Sequence, residues 1–263
     1  MCLTPQILIF NLTLPTPELL HMNAFNPGVA VVAGVGPGLG ASLARKCAKE
    51  GCQLGLLARS SDFLETLTNE LGDLGAKVLA VSTDISEAVQ VTAAFRRIGE
   101  ELGPVDFLIN NASASGPFRQ PFVEITPESF TRGWRVGVLG AFLCSQAVIP
   151  DMLKKRAGCI FFTGATSSVR GAAITFSSAK FALRGLAQAL ARELWPSGIH
   201  VAHIVVDGVI REREIDLGIE EESHEPLMNP AAIAEAYWTL VKQDRSAWTL
   251  ELDLRPNREK FFE

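Results

Sequence analysis

One tyrosine, Tyr237, stands in a chain of 263 residues. Histidine is nearly as scarce, and His21, His200, His203 and His224 are too scattered to build a zinc cluster. His203 falls inside an apolar run and reads as a packed strand residue rather than a base. The five cysteines, Cys2, Cys47, Cys52, Cys144 and Cys159, are odd in number and include no Cys-x-x-Cys pair. They read as free thiols of a reducing, cytoplasmic compartment, not as a disulfide framework or a metal site. No block of Lys and Arg occurs and the formal net charge is -5, so no groove for nucleic acid is expected. No run of about 18 charge-free apolar residues occurs, so no membrane span is expected. A linker that would divide the chain is also missing. Residues 28–263 read as a single domain, preceded by an N-terminal extension, 1–27. That extension has an apolar stretch but lacks the basic start and small-residue cleavage site of a secretory leader.

What is present is a regular alternation. Hydrophobic residues make up 48% of the chain and charged residues 20%, enough for a sizeable core. Apolar strands are predicted at 29–34, 53–58, 77–83, 105–110, 159–164, 200–206 and 246–254. Helices are predicted at 38–51, about 62–71, 88–100, 127–133, 136–155, 175–194 and 231–243. Asp84 or Ser86 is placed to cap the third of these. Near-continuous apolar strands joined by helices belong to a parallel sheet covered on both faces. The predicted class is α/β, a doubly wound parallel sheet in a Rossmann-like three-layer αβα sandwich. The charged, irregular segment 209–229 follows a strand end and reads as a substrate lid.

The chemistry starts at the first strand-to-helix turn. Gly34, Gly36, Gly38 and Gly40 cluster where backbone amides at a helix N-terminus can face a pyrophosphate. That position makes a dinucleotide site the leading expectation. After the second strand, Ala58 offers no carboxylate for a ribose. Arg59 can neutralise a 2′-phosphate, with Ser60 or Ser61 adding hydrogen bonds. NADP(H) is therefore expected in preference to NAD(H).

Taken together, these residues resemble the short-chain dehydrogenase/reductase family over 28–254. Asp84 resembles the family's aspartate at the adenine end. Residues 110–113, Asn-Asn-Ala-Ser, resemble its Asn-Asn-Ala-Gly element. Lys180 resembles the lysine of its Tyr-x-x-x-Lys motif, and Asp207-Gly208 stands where Pro-Gly is usual. The resemblance implies cofactor contacts from Gly34, Gly36, Gly38, Leu39, Arg59, Asp84, Ile85, Asn111, Ala112, Lys180, Gly208 and Ile210. It also implies a small-molecule substrate and a homodimer or homotetramer built through the long helices.

The family's proton-handling residues are replaced. Phe176 stands at the tyrosine position and a benzene ring has no exchangeable proton. Gly137 stands at the position of the relay asparagine. At the family's serine spacing, counting back from Phe176 gives Gly164 or Thr163. Thr163 and Thr166 are the expected substitutes, with Ser113, Ser177 or water as further proton donors. Lys180 keeps its place and its cation can stabilise negative charge on a substrate oxygen. Phe118, Ile174, Phe176 and Trp134 are expected around an apolar pocket. Three functions fit: a reductase with a displaced proton donor, a nucleotide-binding protein without turnover, and a non-redox enzyme in the inherited pocket.

Overall fold

A computed structural model describes residues 28–114, 120–210 and 226–258. The extension 1–27, Phe118 and the greater part of the expected lid, 211–225, lie outside the described residues. In chain order the elements are β1 (Val29–Ala33), α1 (Leu39–Lys49), β2 (Gln53–Ala58), α2 (Ser61–Asp73), β3 (Val78–Ser82), α3 (Ala88–Glu101) and β4 (Val105–Asn110). There follow α4 (Pro127–Trp134), α5 (Gly140–Lys155), β5 (Gly158–Thr163), α6 (Ile174–Leu194) and β6 (Ile199–Val206). The last are β7 (Val209–Ile210), β8 (Leu227–Met228), α7 (Pro230–Val241) and β9 (Glu251–Leu254).

Seven strands form one sheet in the order β3-β2-β1-β4-β5-β6-β9, every pairing parallel. Alternate side chains of one strand feed two separate cores. Ala30 and Val32 of β1 pack with α1, α2 and α7, whereas Val29, Val31 and Ala33 pack with α3, α5 and α6. That is the doubly wound three-layer sandwich the apolar strands predict. The chain runs outward from β1 to β3, then returns to the other side of β1 at β4. The strand order reverses there, and the crevice beyond the carboxyl ends of β1 and β4 is where such sheets bind ligands.

Several local expectations change. The helices expected at 127–133 and 136–155 are one continuous run, carried through a π turn at Arg135–Leu139. This run, Pro127–Lys155, is long and apolar enough to cross a membrane by length and composition. Its charge-free part, 136–150, is bounded by Arg135 and Asp151 and is shorter than a span. Here Ala141, Cys144, Val148 and Met152 bury its inner face in the core beside α3. Neither Asp84 nor Ser86 caps α3. The cap position is Glu87, without a side-chain bond, because the Asp84 carboxylate accepts from the amide and hydroxyl of Ser86 instead. The last strand is shorter than expected, since Arg245–Ala247 forms a 3-10 turn. The ends of the expected lid are paired, with Val209 opposite Leu227 and Ile210 opposite Met228 in a two-stranded parallel ladder.

Candidate active site

The glycine turn fills the crevice at the strand reversal. Gly34 has φ +101 and its amide donates to Leu57 O at 2.9 Å. A Cβ there would collide with the Ala112 backbone, so β1 and β4 close together only around glycine. A Cβ at Gly40 would lie 2.6 Å from Gly34 O. Asn111 ties the two strand ends further, donating from Nδ2 to Gly34 O at 2.8 Å. Gly38 is the N-cap of α1 and provides no side-chain cap. The Ala41 amide donates to Gly36 O at 3.0 Å, which leaves the amides of buried Leu39 and of Gly40 to an outside acceptor. A Cβ at Gly36 would meet nothing, so the outer wall of the turn is open.

At the neighbouring strand ends, Arg59 is exposed and, among the described residues, makes no ion pair. Its carbonyl accepts from Ser82 Oγ at 3.0 Å. The Ser86 hydrogen bonds hold the Asp84 carboxyl below its usual range, helped by the charges of Arg59 and Arg135. The Ile85 side chain is buried against Gly140.

A cleft of about 290 Å³ opens beside the turn, lined by Ser113, Ile125, Arg132, Gly137, Phe176, Lys180 and their neighbours. Lys180 forms its floor. The residue is 4% exposed, and Nζ donates to Thr163 O at 2.7 Å and lies 5.4 Å from the centre of the Phe176 ring. Burial pushes its ammonium down to about 8. Ile174 lines the cleft and Trp134 does not. Gly137 sits in the π turn on the opposite wall, where a Cβ would meet only Ala179 Cβ, at 3.7 Å. The missing side chain thus leaves room. Gly137→Ala is expected to raise stability by about 0.5–1 kcal/mol, through lower entropy of the unfolded chain, in a urea denaturation series.

The hydroxyl substitutes fare differently. Thr163 shares its sheet face with Phe161, the side of α1 and α7, so its Oγ1 points away from the cleft. There it bonds Asn111 Oδ1 at 3.0 Å and the Tyr237 hydroxyl at 2.8 Å. Only its carbonyl serves Lys180, so the structure does not bring the Thr163 hydroxyl to the cleft. Tyr237 is 1% exposed and burial pushes its phenol up. The lone tyrosine is therefore a partner of Thr163 on the far face. Thr166 begins a 3-10 turn and is not among the cleft residues. Ser177 is buried and its Oγ accepts from the Ala172 amide at 2.9 Å. Ser113 does line the cleft.

Sequence reasoning missed two features. His203 is not merely packed: Nδ1 lies 3.1 Å from Glu251 Oε2. Asp207 is 4% exposed and pairs with Arg255 and, at 3.4 Å, with Arg170. It binds the segments after β5, β6 and β9 together. A charged residue at the end of an apolar strand was the available signal.

The sequence profile of short chain dehydrogenases matches residues 28–213. The 3-ketodihydrosphingosine reductase of Mus musculus is 34% identical over 183 residues, covering 66% of this chain and 54% of that enzyme. The chain thus spans about half the length of that relative. A solved short-chain dehydrogenase from Rhodopseudomonas palustris is 35% identical, with TM-score 0.72 over 86% of this chain and 98% of that one. An alcohol dehydrogenase from Thermococcus sibiricus, solved with 5-hydroxy-NADP, is 27% identical, with TM-score 0.77 over 89% and 99% of the two chains. The profile covers well over half of the chain and the doubly wound sheet is shared with these solved structures, and the chain belongs to the short chain dehydrogenase family.

Proposed function

We propose that this chain is a divergent oxidoreductase that exchanges a hydride between NADP(H) and a carbonyl, alcohol or activated alkene. In it Lys180 serves as the polar group facing the substrate oxygen. The observation that carries the reading is the buried Lys180 ammonium on the floor of a cleft that opens beside the glycine turn. The residues fit a dinucleotide. Gly34 and Gly40 let the backbone of the turn close where any Cβ would collide, the space beyond Gly36 is open, and the α1 N-cap leaves its amides without a side-chain partner. Gly34, Gly36, Gly38 and Leu39 would hold the pyrophosphate, Asp84 and Ile85 the adenine end, and Arg59 a 2′-phosphate. Asn111, Ala112, Gly208 and Ile210 would border the nicotinamide end, with Lys180 reaching the ribose hydroxyls.

The chemistry supplied by a bound nicotinamide dinucleotide is the hydride. Lys180 stabilises the negative charge that develops on the substrate oxygen. Phe176 has no proton to give and excludes water from one side of the ammonium. Losing a positioned acid typically costs about 10²–10⁴-fold in rate, so substrates that tolerate an unassisted oxyanion, such as conjugated alkenes, suit this cleft. The 3-ketodihydrosphingosine reductase and alcohol dehydrogenase names of the relatives support a carbonyl or alcohol substrate class. Phe176 also favours a second reading, a nucleotide-binding protein without turnover.

The cofactor preference is testable at one residue. Arg59→Ala is expected to weaken NADPH binding about tenfold, the worth of a lost charge-assisted hydrogen bond, and to leave NADH unchanged. Fluorescence titration measures both. Equal losses for the two nucleotides would remove Arg59 from the 2′-phosphate.

A further inference from the structure

Gly164 directly follows β5, and the space its side chain would take is filled from the next strand. A Cβ at Gly164 would fall on the imidazole of His203, at Nε2 and Cε1. His203 lies on β6, in register with Phe162 on one side and Glu251 on the other, and is fully buried. Glu251 accepts two 2.6 Å bonds from Arg184 of α6 and lies 3.1 Å from His203 Nδ1. An ionised carboxylate only accepts, so Nδ1 carries the hydrogen and Glu251 fixes the tautomer. His203 Nε2 is then a bare lone pair, and among the described residues nothing donates to it. A buried acceptor left without a donor is costly, so this one calls for a reason.

The reason lies one helical turn away. Lys180 precedes Arg184 by four residues and shares its face of α6. Its ammonium donates to Thr163 O at 2.7 Å, and that carbonyl belongs to the peptide link of Gly164. The ammonium and the bare lone pair therefore flank one peptide group. Of the three donors on Lys180 Nζ, Thr163 O takes one.

We infer that His203 is a positioning residue for Lys180: the imidazole locked by Glu251 keeps the negative end of its ring, Nε2, beside the Thr163–Gly164 peptide that holds the ammonium, and its dipole keeps that ammonium charged at the cleft floor. The glycine at 164 and the histidine at 203 then form one device, since any side chain at 164 would evict the imidazole. Burial pushes His203 down to about 4, against the pull of Glu251, so the ring is a neutral acceptor near pH 7. The charged groups that face it are Glu251 from β9 and Lys180 and Arg184 from α6. From β5 and the residue after it, the ring meets Phe162 and Gly164, which do not titrate. The inference rests on the reading that Lys180 serves the cleft, but its test reads Lys180 without turnover.

The test follows the ε-carbon resonance of Lys180 across pH in the full chain labelled with carbon-13 lysine, assigned by its loss in K180R. H203N keeps a polar group for Glu251 but ends short of the Nε2 position, whereas H203Q places an amide oxygen there. The wild type and H203Q are expected to share one midpoint. In H203N the proton affinity of Lys180 falls about tenfold, as burial acts on it without the imidazole dipole. Gly164→Ala, whose Cβ displaces the imidazole, gives the same fall and serves if H203N does not fold. Identical midpoints in the wild type, H203N and G164A overturn the inference, as does H203Q behaving like H203N.

Discussion

Gly34→Ala is expected to lower stability by about 2–5 kcal/mol and to remove NADPH binding at concentrations that saturate the unaltered chain. The position combines φ +101 with a Cβ site already occupied by the Ala112 backbone. Relief requires β1 and β4 to part at their carboxyl ends, where Asn111 Nδ2 bonds Gly34 O at 2.8 Å. The same opening dismantles the cradle proposed for the pyrophosphate. Gly36→Ala is the control within the same turn. Its Cβ meets nothing, so its stability should change by less than about 1 kcal/mol. Urea unfolding and nucleotide titration on the two variants separate backbone crowding from a general effect of substituting the turn.

Phe176→Tyr is expected to raise NADPH-dependent carbonyl reduction by about 10²-fold, the low end of what a positioned acid contributes. The ring already borders the cleft, and its centre lies 5.4 Å from the Lys180 ammonium, a cation that favours the phenolate form of a tyrosine placed there. No matching gain is expected from Gly164→Ser, because its Cβ would fall on the His203 imidazole. The side-chain space at Gly164 is thus taken by a neighbouring strand, while Phe176 borders the cleft. Reduction unchanged in Phe176→Tyr would favour the reading of nucleotide binding without turnover.

The fold was legible because its signals are local. Apolar strands such as 29–33, the turn at Gly34 and the α6 sequence around Lys180 carry their meaning within a few residues. Features that depend on distant partners were not. Thr163 looked like a hydroxyl for the substrate, but a one-residue step along β5 turns a side chain to the other sheet face, and its partner Tyr237 lies 74 residues on. His203 looked like a core residue because its partner Glu251 sits on a strand 48 residues away. Asp207 could be seen to replace a proline, yet its pairing with Arg255 and Arg170 needs the sheet assembled. The π turn at 135–139 leaves no mark in an apolar helical repeat, so two helices were expected where one bends through.

In the proposed function a dinucleotide occupies the glycine turn and Arg59 selects the phosphorylated form. Direct titration of the unaltered chain with NADPH and NADH tests it. Saturable binding of both, tighter for NADPH, is the predicted result; absence of binding by either nucleotide at about millimolar concentration would contradict it.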